Sequence, residues 1–396
     1  MDPRKKKVLI LSIAYFPKFV GGAEVALKEI TDRLGDKYEF DMVTLRFDKN
    51  LASSEKLGSV NIFRVGLSAK GATPGELPLV VKLAKILAPF SIFWRAWKLH
   101  RKNKYDLIWS MMANQAGFAG MFLKMISKKT PLVLSVQEGN SPESIERKVR
   151  YILPMYRKIF SSADVVQPIS NFLAGFAQKM GGSKIVVVPN GVDVEKFSLA
   201  KSEKSPQILS ELGVSGSEKI IITASRLVNK NGIEDLIRSL VFLPTNVKLL
   251  ILGAGPLEDN LKRVTENLGL FERVIFKGQV THDDLVQYFA VADIFCRPSL
   301  SEGLGNVFLE AMASKLPVAA TPVGGIVDIV VDRKTGLLAQ PGDPRDLASK
   351  IDILLNDEKL RLDLVKNGFE MVSKKYDWNI IAQKMDEIFN SVKVTI

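Results

Sequence analysis

The clearest chemical pattern lies in residues 297–330, where seven residues separate Glu302 from Glu310. The glycines of EGLG break the chain before a helix that we expect to begin near Asn306. Free backbone N–H groups and the positive end of a helix dipole suit an anion such as a diphosphate at that point. Glu302 can accept hydrogen bonds from sugar hydroxyls. Glu310, about one turn into the helix, can bind a ribose diol.

Short runs rich in Val, Ile and Leu must position these residues, and they alternate with segments of helical period along the chain. This alternation is typical of βαβ units with parallel sheets. We therefore predict an α/β protein with two doubly wound halves. The predicted strands are KVLILSI (7–13), FDMVTL (40–45), VNIFRV (60–65), DLIWS (106–110), PLVLSV (131–136), DVVQPI (164–169), KIVVV (184–188), KIIITAS (219–225), VKLLILG (247–253), RVIFKG (273–278), ADIFC (292–296), PVAAT (317–321) and GLLA (336–339).

The turn PNG (189–191) marks the predicted domain boundary, because it ends a strand and a polar stretch follows. We expect residues 1–195 to form an N-terminal Rossmann-like domain and residues 196–376 a C-terminal one. A final helix at about 377–396 is able to pack back on the first domain. Two such halves leave a cleft lined by the carboxyl ends of both sheets, where ligands bind in open α/β sheets.

Cysteine and histidine are scarce, which narrows the possible kinds of site. The single cysteine, Cys296, excludes a disulfide framework and fits a reducing compartment. With only His100 and His282, a His-rich metal centre is excluded as well. No run of eighteen uncharged apolar residues exists, so we expect no membrane-spanning helix and a cytoplasmic protein.

Positive charge is concentrated in the first half of the chain. Residues 1–195 carry 30 Lys and Arg against 17 Asp and Glu, whereas residues 196–396 carry 25 against 26. This asymmetry predicts that the first half meets something anionic: a membrane surface, a nucleic acid or a phosphorylated substrate. Solubility alone is the alternative interpretation.

The segment 77–106 combines Leu, Val, Phe and Trp with seven Lys and Arg and has no acid before Asp106. We expect Pro89 to split it into two helical pieces. Basic amphipathic helices with Trp and Phe lie in membrane interfaces, so we predict peripheral contact with an anionic membrane surface. An ordinary helix with a basic outer face is the alternative. Nucleic-acid binding is not expected, because the chain lacks a recognition motif.

Several motifs occur in the order typical of one enzyme family. They are GGAE (21–24), PNGVD (189–193), SRL (225–227), LGAGPLEDNL (252–261), FKGQV (276–280), ADIFCRPS (292–299), EGLGNVFLEAMA (302–313) and TPVGG (321–325). The chain therefore resembles the retaining glycosyltransferases of family 4. That resemblance implies the GT-B fold, in which two Rossmann-like domains face each other across a cleft. The match covers nearly the whole chain and is more specific in the second half. The resemblance also implies that the first domain, residues 1–195, binds the acceptor and that the second domain, residues 196–376, binds the nucleotide-sugar donor.

The resemblance implies roles for the matching residues. Glu302 corresponds to the acid that holds the donor sugar, and Glu310 to the acid that binds the nucleotide ribose. Arg226 corresponds to the arginine on the donor diphosphate, where its planar fork neutralises the departing nucleoside diphosphate. LGAGP lacks the third glycine of a dinucleotide fingerprint, so an NAD site is disfavoured. The residues assigned to the donor side are Gly22, Asn231, Gly253, Gly255, Pro256, Gly303, Leu304, Gly305, Asn306, Val307 and Glu310.

Two departures from the family pattern leave roles open. The family usually has a basic residue five positions after the arginine, but here Asn231 stands there and Lys230 precedes it. Either Lys230 reaches the diphosphate through a shift of the loop, or Asn231 hydrogen-bonds the phosphate without its charge. A His-Asp pair of many relatives is replaced by Gln137 and Glu138, so the catalytic role of that histidine cannot be carried over.

The acceptor or sugar side is assigned to residues of the first half. They are Gly21, Gln137, Glu138 and Asn190. A plain polar loop is the alternative for residues 137–140, and Glu24 is interpreted as structural because it complements a helix dipole.

No D-x-D sequence occurs, which fits enzymes that stabilise the diphosphate with Arg, Lys and helix N-termini. We expect no metal and no cofactor besides a nucleotide-sugar substrate. The predicted catalytic set is Arg226, Lys230 and Glu302.

The sequence predicts retaining, metal-independent transfer of a sugar from a nucleotide-diphosphate-sugar to a saccharide acceptor, with a lipid-linked acceptor at the inner face of a membrane as the specific hypothesis. A nucleotide-sugar 2-epimerase-like isomerase is the first alternative. It is disfavoured because EGLG, together with the spacing of Glu302 and Glu310, belongs to the transferase pattern and because histidine is scarce. A nucleotide-sugar-binding protein with little turnover is the second, and only the departures at Asn231 and Gln137 support it.

Overall fold

Two compact units make up the described chain, each with its own sheet. The computed structural model describes residues 4–18, 20–68, 79–199 and 205–392, with the side chains of 79–85 outside the description. The first unit comprises residues 1–138, 142–190 and 378–396, and the second comprises residues 139–141 and 191–377.

The division falls between Asn190 and Gly191, a few residues before the boundary expected from the sequence. The reason is a contact made directly after it, since the Val192 N–H donates to the Tyr376 carbonyl over 2.8 Å. The buried ring of Phe197 then packs on Phe289. Residues 191–197 therefore belong with the second unit.

The first unit has a seven-stranded sheet in the order β3-β4-β2-β1-β5-β6-β7, in which only the β3–β4 pair is antiparallel. Its central strands are buried along their length, as parallel strands covered by helices on both faces must be. The strands are β1 (Lys6–Leu11), β2 (Tyr38–Leu45), β3 (Ser54–Leu57), β4 (Val60–Val65), β5 (Leu107–Met111), β6 (Leu132–Val136) and β7 (Val165–Pro168). Its helices before the boundary are α1 (Gly22–Leu34), α2 (Leu79–Asn103), α3 (Gln115–Ile126), α4 (Pro142–Val149), α5 (Leu153–Ser162) and α6 (Asn171–Lys179).

The run 184–188, predicted as a strand, forms only one isolated bridge beside β7, between Ile185 and Val166. Its backbone bonds to β7 begin as a parallel ladder, with Val166 N–H donating to Lys184 and Val186 N–H donating to Val166. The next residue of β7 that should donate is Pro168, but proline has no N–H. The hydrogen bond to the Val186 carbonyl is therefore missing. The prediction of a strand at 184–188 was wrong because the neighbouring strand, β7, ends in a proline.

Helix α2 runs unbroken through Pro89, so the expected split into two pieces is also wrong. A proline inside a helix costs about 3 kcal/mol and removes one intrahelical hydrogen bond. Packing offsets this cost, because Ala88 and Ile92 on either side of the proline are buried. The ring of Phe93 also meets Phe122 of α3 edge to face.

The second unit has a six-stranded parallel sheet in the order β10-β9-β8-β11-β12-β13. The strands are β8 (Lys219–Ala224), β9 (Val247–Leu252), β10 (Val274–Gly278), β11 (Ile294–Arg297), β12 (Val318–Ala320) and β13 (Leu337–Leu338). The helices are α7 (Val194–Leu199), α8 (Pro206–Glu211), α9 (Ile233–Ser239), α10 (Glu258–Asn267), α11 (His282–Val291), α12 (Asn306–Ala313), α13 (Pro344–Asn356) and α14 (Glu358–Lys375). Because β8 and β9 are apolar on both faces, they form the centre of this unit's core.

The last helix, α15 (Trp378–Ser391), returns to the first unit and packs against α1. Its apolar face is completely covered, with Phe389 only 2% exposed. The Phe389 ring lies edge to face with Trp109 of β5 and with Tyr38 of β2, at centroid distances of 5.2 and 5.5 Å.

None of the helices in the described part of the chain has the length and apolar character needed to span a membrane.

The packing of α15 predicts that Phe389→Ala lowers the free energy of unfolding of the first unit by about 3–5 kcal/mol, because the truncation leaves a cavity beside the rings of Trp109 and Tyr38. Tryptophan fluorescence during urea unfolding reports this unit alone, since Trp94, Trp97, Trp109 and Trp378 all belong to it. Gln383→Ala, on the exposed face of the same helix, is the control and should change the value by less than about 0.5 kcal/mol. Equal values for the two variants would show that α15 is not part of the core.

Candidate active site

The loop between β11 and α12 carries Glu302 and the EGLG glycines. Helix α12 begins at Asn306, where the sequence analysis placed it. Gly305 precedes it with a φ of +89°, in the left-handed region that only glycine enters at low cost. A Cβ on Gly305 would lie 2.6 Å from the Phe308 ring and 3.0 Å from Arg297 Nη2. The glycine is therefore required by local geometry and by packing.

The Glu302 carboxylate is fixed from two sides. One oxygen forms an ion pair with Arg297 Nη2, and the other accepts from the Gly303 N–H over 2.9 Å. The side chain of Glu302 is 15% exposed and that of Arg297 is 7% exposed. A carboxylate held this way keeps one direction, with lone pairs left for further donors.

The TPVGG motif holds the backbone of the same residue. The Gly325 N–H donates to the Glu302 carbonyl over 3.1 Å. A Cβ on Gly324 would lie 1.8 Å from that carbonyl oxygen, so the two segments are in direct backbone contact. The motif therefore serves to place Glu302.

Lys230 faces the same small volume as Glu302. Its Nζ donates to the carbonyl of Gly139, which belongs to the second unit, over 3.0 Å. A Cβ placed on Gly139 would lie 2.5 Å from Lys230 Nζ and 3.6 Å from Glu302 Oε1. The Leu300 N–H donates to the Lys230 carbonyl, which joins the two loops. The structure thus brings together one cation and one anion of the predicted catalytic set.

Arg226 follows β8 and is exposed. Its guanidinium makes no hydrogen bond or ion pair with any residue that the structure describes. Its carbonyl accepts a 2.6 Å hydrogen bond from Asn231 Nδ2, and Asn231 is only 4% exposed. Asn231 therefore braces the loop behind Arg226, while the charged side chain points to solvent.

The LGAGP loop lies against the Arg226 loop. Cβ atoms on Gly253 and Gly255 would lie 2.0 and 2.4 Å from the carbonyl oxygens of Ser225 and Leu227. The close approach that requires these glycines is thus made within the protein. Pro256, the next residue, is exposed. Contact of this loop with a nucleotide stays a prediction.

Glu310 lies on α12 and is 13% exposed, and it is paired with His282 at the start of α11. The distance between His282 Nε2 and Glu310 Oε1 is 3.1 Å. That hydrogen bond raises the pKa of His282, an effect larger than the opposing effect of burial. The His282 ring also packs edge to face on Phe197 at 5.5 Å.

The remaining donor-side residues of the loop differ in exposure. Gly303, Leu304, Gly305 and Val307 are buried, and Asn306 is half-buried. Leu304 and Val307 are core side chains, so only their backbone groups are candidates for contact with a ligand.

In the first unit, two acceptor-side candidates meet. Asn190 Nδ2 donates to Gln137 Oε1 over 3.1 Å, which joins the residues after β6 to the turn at the unit boundary. Asn190 is buried, and Gln137 and Glu138 are half-buried. Burial raises the pKa of Tyr156, and the charge of Glu138 adds to this effect, so Glu138 lies near that phenol.

Gly21 and Gly22 lie at the exposed start of α1. The Glu24 carboxylate accepts from the Gly21 N–H over 2.9 Å, which caps the helix. Burial raises the pKa of Glu24 despite this bond. Glu24 has the structural role expected for it.

Two residues that hold the site were not selected from the sequence, namely Arg297 and His282. Arg297 was visible only as part of the ADIFCRPS motif, in which a charged residue at the end of a buried strand was a usable signal. His282 is one of two histidines, but nothing in its neighbourhood in the sequence connects it to Glu310.

In the described part of the chain, no three His, Cys, Asp or Glu side chains group together as metal ligands.

Two family models together match most of the chain. The model of Glycosyltransferase Family 4 matches residues 20–196, and that of Glycosyl transferases group 1 matches residues 204–371. An uncharacterized glycosyltransferase of Methanocaldococcus jannaschii is 28% identical over 400 residues, covering 97% of each chain. CapM, a capsular polysaccharide biosynthesis glycosyltransferase of Staphylococcus aureus, is 29% identical and covers 80% of this chain and 85% of its own.

The solved structure of a sucrose-phosphate synthase from Thermosynechococcus elongatus has a TM-score of 0.80 at 23% identity, covering 98% of both chains. The two α/β units with their parallel sheets thus have the GT-B fold, which confirms the predicted fold class. The chain belongs to the group 1 glycosyltransferases, and it is an enzyme of that class. This favours sugar transfer over the isomerase and binding-protein alternatives.

The pairing of His282 with Glu310 predicts that the two histidines titrate on opposite sides of the usual value of about 6.5. The pKa of His282 is raised and that of His100 is lowered by burial. His282 therefore stabilises the fold when it is protonated, fully below its unfolded pKa, and this contribution is lost as the pH rises through the folded pKa.

A proton NMR titration of the two imidazole resonances measures both values. Glu310→Gln should move the His282 pKa back toward about 6.5 and leave His100 unchanged. An unchanged pKa of His282 in the Glu310→Gln variant would contradict the pairing.

Proposed function

We propose that this glycosyltransferase takes its sugar from a nucleoside diphosphate sugar bound at the strand ends of the second unit and transfers it to a saccharide with retention of anomeric configuration. The observation that carries the proposal is that Lys230 and Glu302 both approach Gly139, while the exposed Arg226 lies on the same loop as Lys230, between β8 and α9. This grouping offers positive charge for a diphosphate and a fixed carboxylate for a sugar.

The reaction breaks the bond between the anomeric carbon and the diphosphate oxygen, and the bonding electrons leave with the diphosphate. The developing negative charge is stabilised by the guanidinium of Arg226, by Lys230 and by the N–H groups at the start of α12. The acceptor hydroxyl forms the new bond on the face that the diphosphate leaves. Its proton goes to the departing phosphate oxygen, which balances the reaction.

Lys230, and not Asn231, is the second diphosphate ligand in this proposal. The Asn231 amide is buried and already donates to the Arg226 carbonyl. Lys230 is half-buried, and its Nζ and Glu302 Oε1 both lie close to Gly139. Asn231 then acts indirectly, because it holds the loop that presents Arg226.

Metal independence is part of the same proposal. A divalent cation at a diphosphate supplies positive charge, and here Arg226 and Lys230 supply it. Added EDTA should therefore leave the initial rate of donor turnover unchanged.

Glu310 is proposed as the ribose ligand. Its position on α12, within hydrogen-bond distance of His282, leaves the second carboxylate oxygen for a diol.

For Arg226→Ala we expect turnover to fall by about 10²–10³, since one electrostatic group at the leaving diphosphate is removed. The measurement is release of nucleoside diphosphate from a panel of UDP-, GDP- and ADP-sugars, with and without saccharide acceptors. Arg263→Ala, which removes an exposed arginine of α10 in the same unit, is the matched control and should keep wild-type turnover. Turnover of Arg226→Ala within about threefold of wild type would remove the assignment. An epimerised donor among the products would restore the isomerase alternative.

The acceptor we propose is a lipid-linked saccharide, and the first unit is proposed to attach to an anionic membrane surface. One support is the similarity to CapM, a glycosyltransferase of capsular polysaccharide biosynthesis. The other is the outer face of α2, where four apolar side chains are more than half exposed. They are Ile86 (70%), Leu87 (63%), Phe90 (58%) and Trp94 (52%).

Cations flank this exposed face. Lys98 Nζ lies 5.2 Å from the Trp94 ring centroid, and the Arg101 guanidinium lies 5.1 Å from that of Trp97. Aromatic rings with cations beside them suit the boundary between lipid headgroups and acyl chains. Lys82 and Lys85 of the predicted segment lie among the side chains that are not described.

Vesicle sedimentation tests the attachment. We expect binding to vesicles with anionic lipid and not to neutral ones, because each cation near such a surface contributes about 1 kcal/mol. Binding should weaken as salt rises, since charges are screened over about 8 Å at physiological ionic strength. Trp94→Ala should weaken it, whereas Phe271→Ala, which removes a ring of the second unit that is 68% exposed, should not. Equal binding to both kinds of vesicle would contradict the proposal.

A further inference from the structure

Arg297 is a charged side chain in an apolar place. It is the last residue of β11, and the residue is 6% exposed. Its neighbours along the strand, Phe295 and Cys296, are completely buried. Arginine is seldom buried unless it is paired, so the contacts of Arg297 should explain why it is there.

Three contacts hold the Arg297 side chain. Its Nε donates to Ser299 Oγ over 3.1 Å, and its Nη2 forms the ion pair with Glu302. The guanidinium carbon lies 4.8 Å from the centroid of the Phe308 ring on α12. The guanidinium plane is thus held by a hydroxyl, a carboxylate and a ring, and a planar fork matches this better than an ammonium group.

Ser299 is itself fixed. It is fully buried, and its carbonyl accepts a hydrogen bond from the Thr321 hydroxyl at the start of TPVGG. The chain of contacts therefore runs from the TPVGG segment through Ser299 and Arg297 to the Glu302 carboxylate. Gly325, in the same segment, donates its N–H to the Glu302 carbonyl. The TPVGG segment therefore supports both the backbone and the carboxylate of Glu302.

We propose that Arg297 is the positioning residue of the donor-sugar site, and that it orients the Glu302 carboxylate toward a hydroxyl of the transferred sugar. This inference rests on the proposed function of Glu302. Arg297 engages one carboxylate oxygen, Oε2, so that Oε1, which faces Lys230, is presented to the sugar. Arg297 itself does not touch the substrate.

The test separates positioning from simple stabilisation. Arg297→Lys keeps the charge but cannot reach Ser299 and Glu302 together, and Arg297→Met removes the charge. We expect kcat for donor turnover to fall about 10²-fold in Arg297→Met, since a small misplacement of a positioning group has this effect. Arg297→Lys should recover part of the loss. The Kd for the matching free nucleoside diphosphate should stay within about threefold of wild type, because that ligand has no sugar.

A double-mutant cycle with Glu302→Gln provides the second readout. If Arg297 acts through Glu302, the double variant with Arg297→Met should have the kcat of Glu302→Gln alone, because the effects of residues that act as a unit do not add. Independent, multiplied losses would overturn the inference, as would a loss of nucleoside diphosphate binding in parallel with kcat.

Ser299→Ala keeps the test decisive if the Arg297 variants do not fold. It removes one acceptor of the arginine and leaves the ion pair in place, so kcat should fall while Kd for the nucleoside diphosphate is kept. Unchanged kcat in Ser299→Ala and in any folded Arg297 variant, with an active wild type, overturns the positioning role. A wild type that turns over no member of the UDP-, GDP- and ADP-sugar panel instead contradicts the proposed function.

Discussion

The ion pair between Arg297 and Glu302 is the interaction around which the second unit's site is arranged. Removing two charges from water costs several kcal/mol per ion, and attraction repays this only when further hydrogen bonds complete the geometry. Here the arginine has the Ser299 hydroxyl and the Phe308 ring, and the glutamate has the Gly303 N–H. These contacts fix the position of both side chains. The backbone of the loop from β11 to α12 must therefore adopt a conformation that leaves room for them.

The glycines of this loop follow from that constraint. Arg297 and Phe308 occupy the space beside Gly305, and any side chain there would collide with both. Gly324 lies against the Glu302 carbonyl in the same way. The glycine-rich appearance of this loop thus reflects packing of backbone against the ion pair and against the Glu302 carbonyl.

Much of the fold follows from the sequence, because short hydrophobic runs that alternate with helical segments are typical of βαβ units with parallel sheets. Two details did not follow. The ladder beside β7 lacks the bond that an N–H at Pro168 would donate, although the Val188 N–H still donates to the Pro168 carbonyl. Helix α2 continues through Pro89, where Ala88 and Ile92 are buried. Both outcomes depend on neighbours that are distant in sequence, which no local pattern contains.

The candidate site was only partly predictable for a similar reason. The motifs of the sequence point to Glu302, Glu310 and Arg226. The residues that hold these side chains could not be predicted, because only the fold brings them close. Asn231 looked like a weak phosphate ligand, and its amide is instead bonded to the Arg226 carbonyl. Gly253 and Gly255 suggested room for a nucleotide, whereas a Cβ there meets Ser225 and Leu227.

The two glutamates differ most in the cations that hold them. Glu302 is paired with the guanidinium of Arg297, which is itself held by the Ser299 hydroxyl and the Phe308 ring. His282 titrates, and its raised pKa means that the partner of Glu310 loses its charge as the pH rises above that value. If Glu310 binds the ribose of the donor, nucleotide affinity should vary with pH through His282, because the protonated imidazole attracts the Glu310 carboxylate and the neutral imidazole does not.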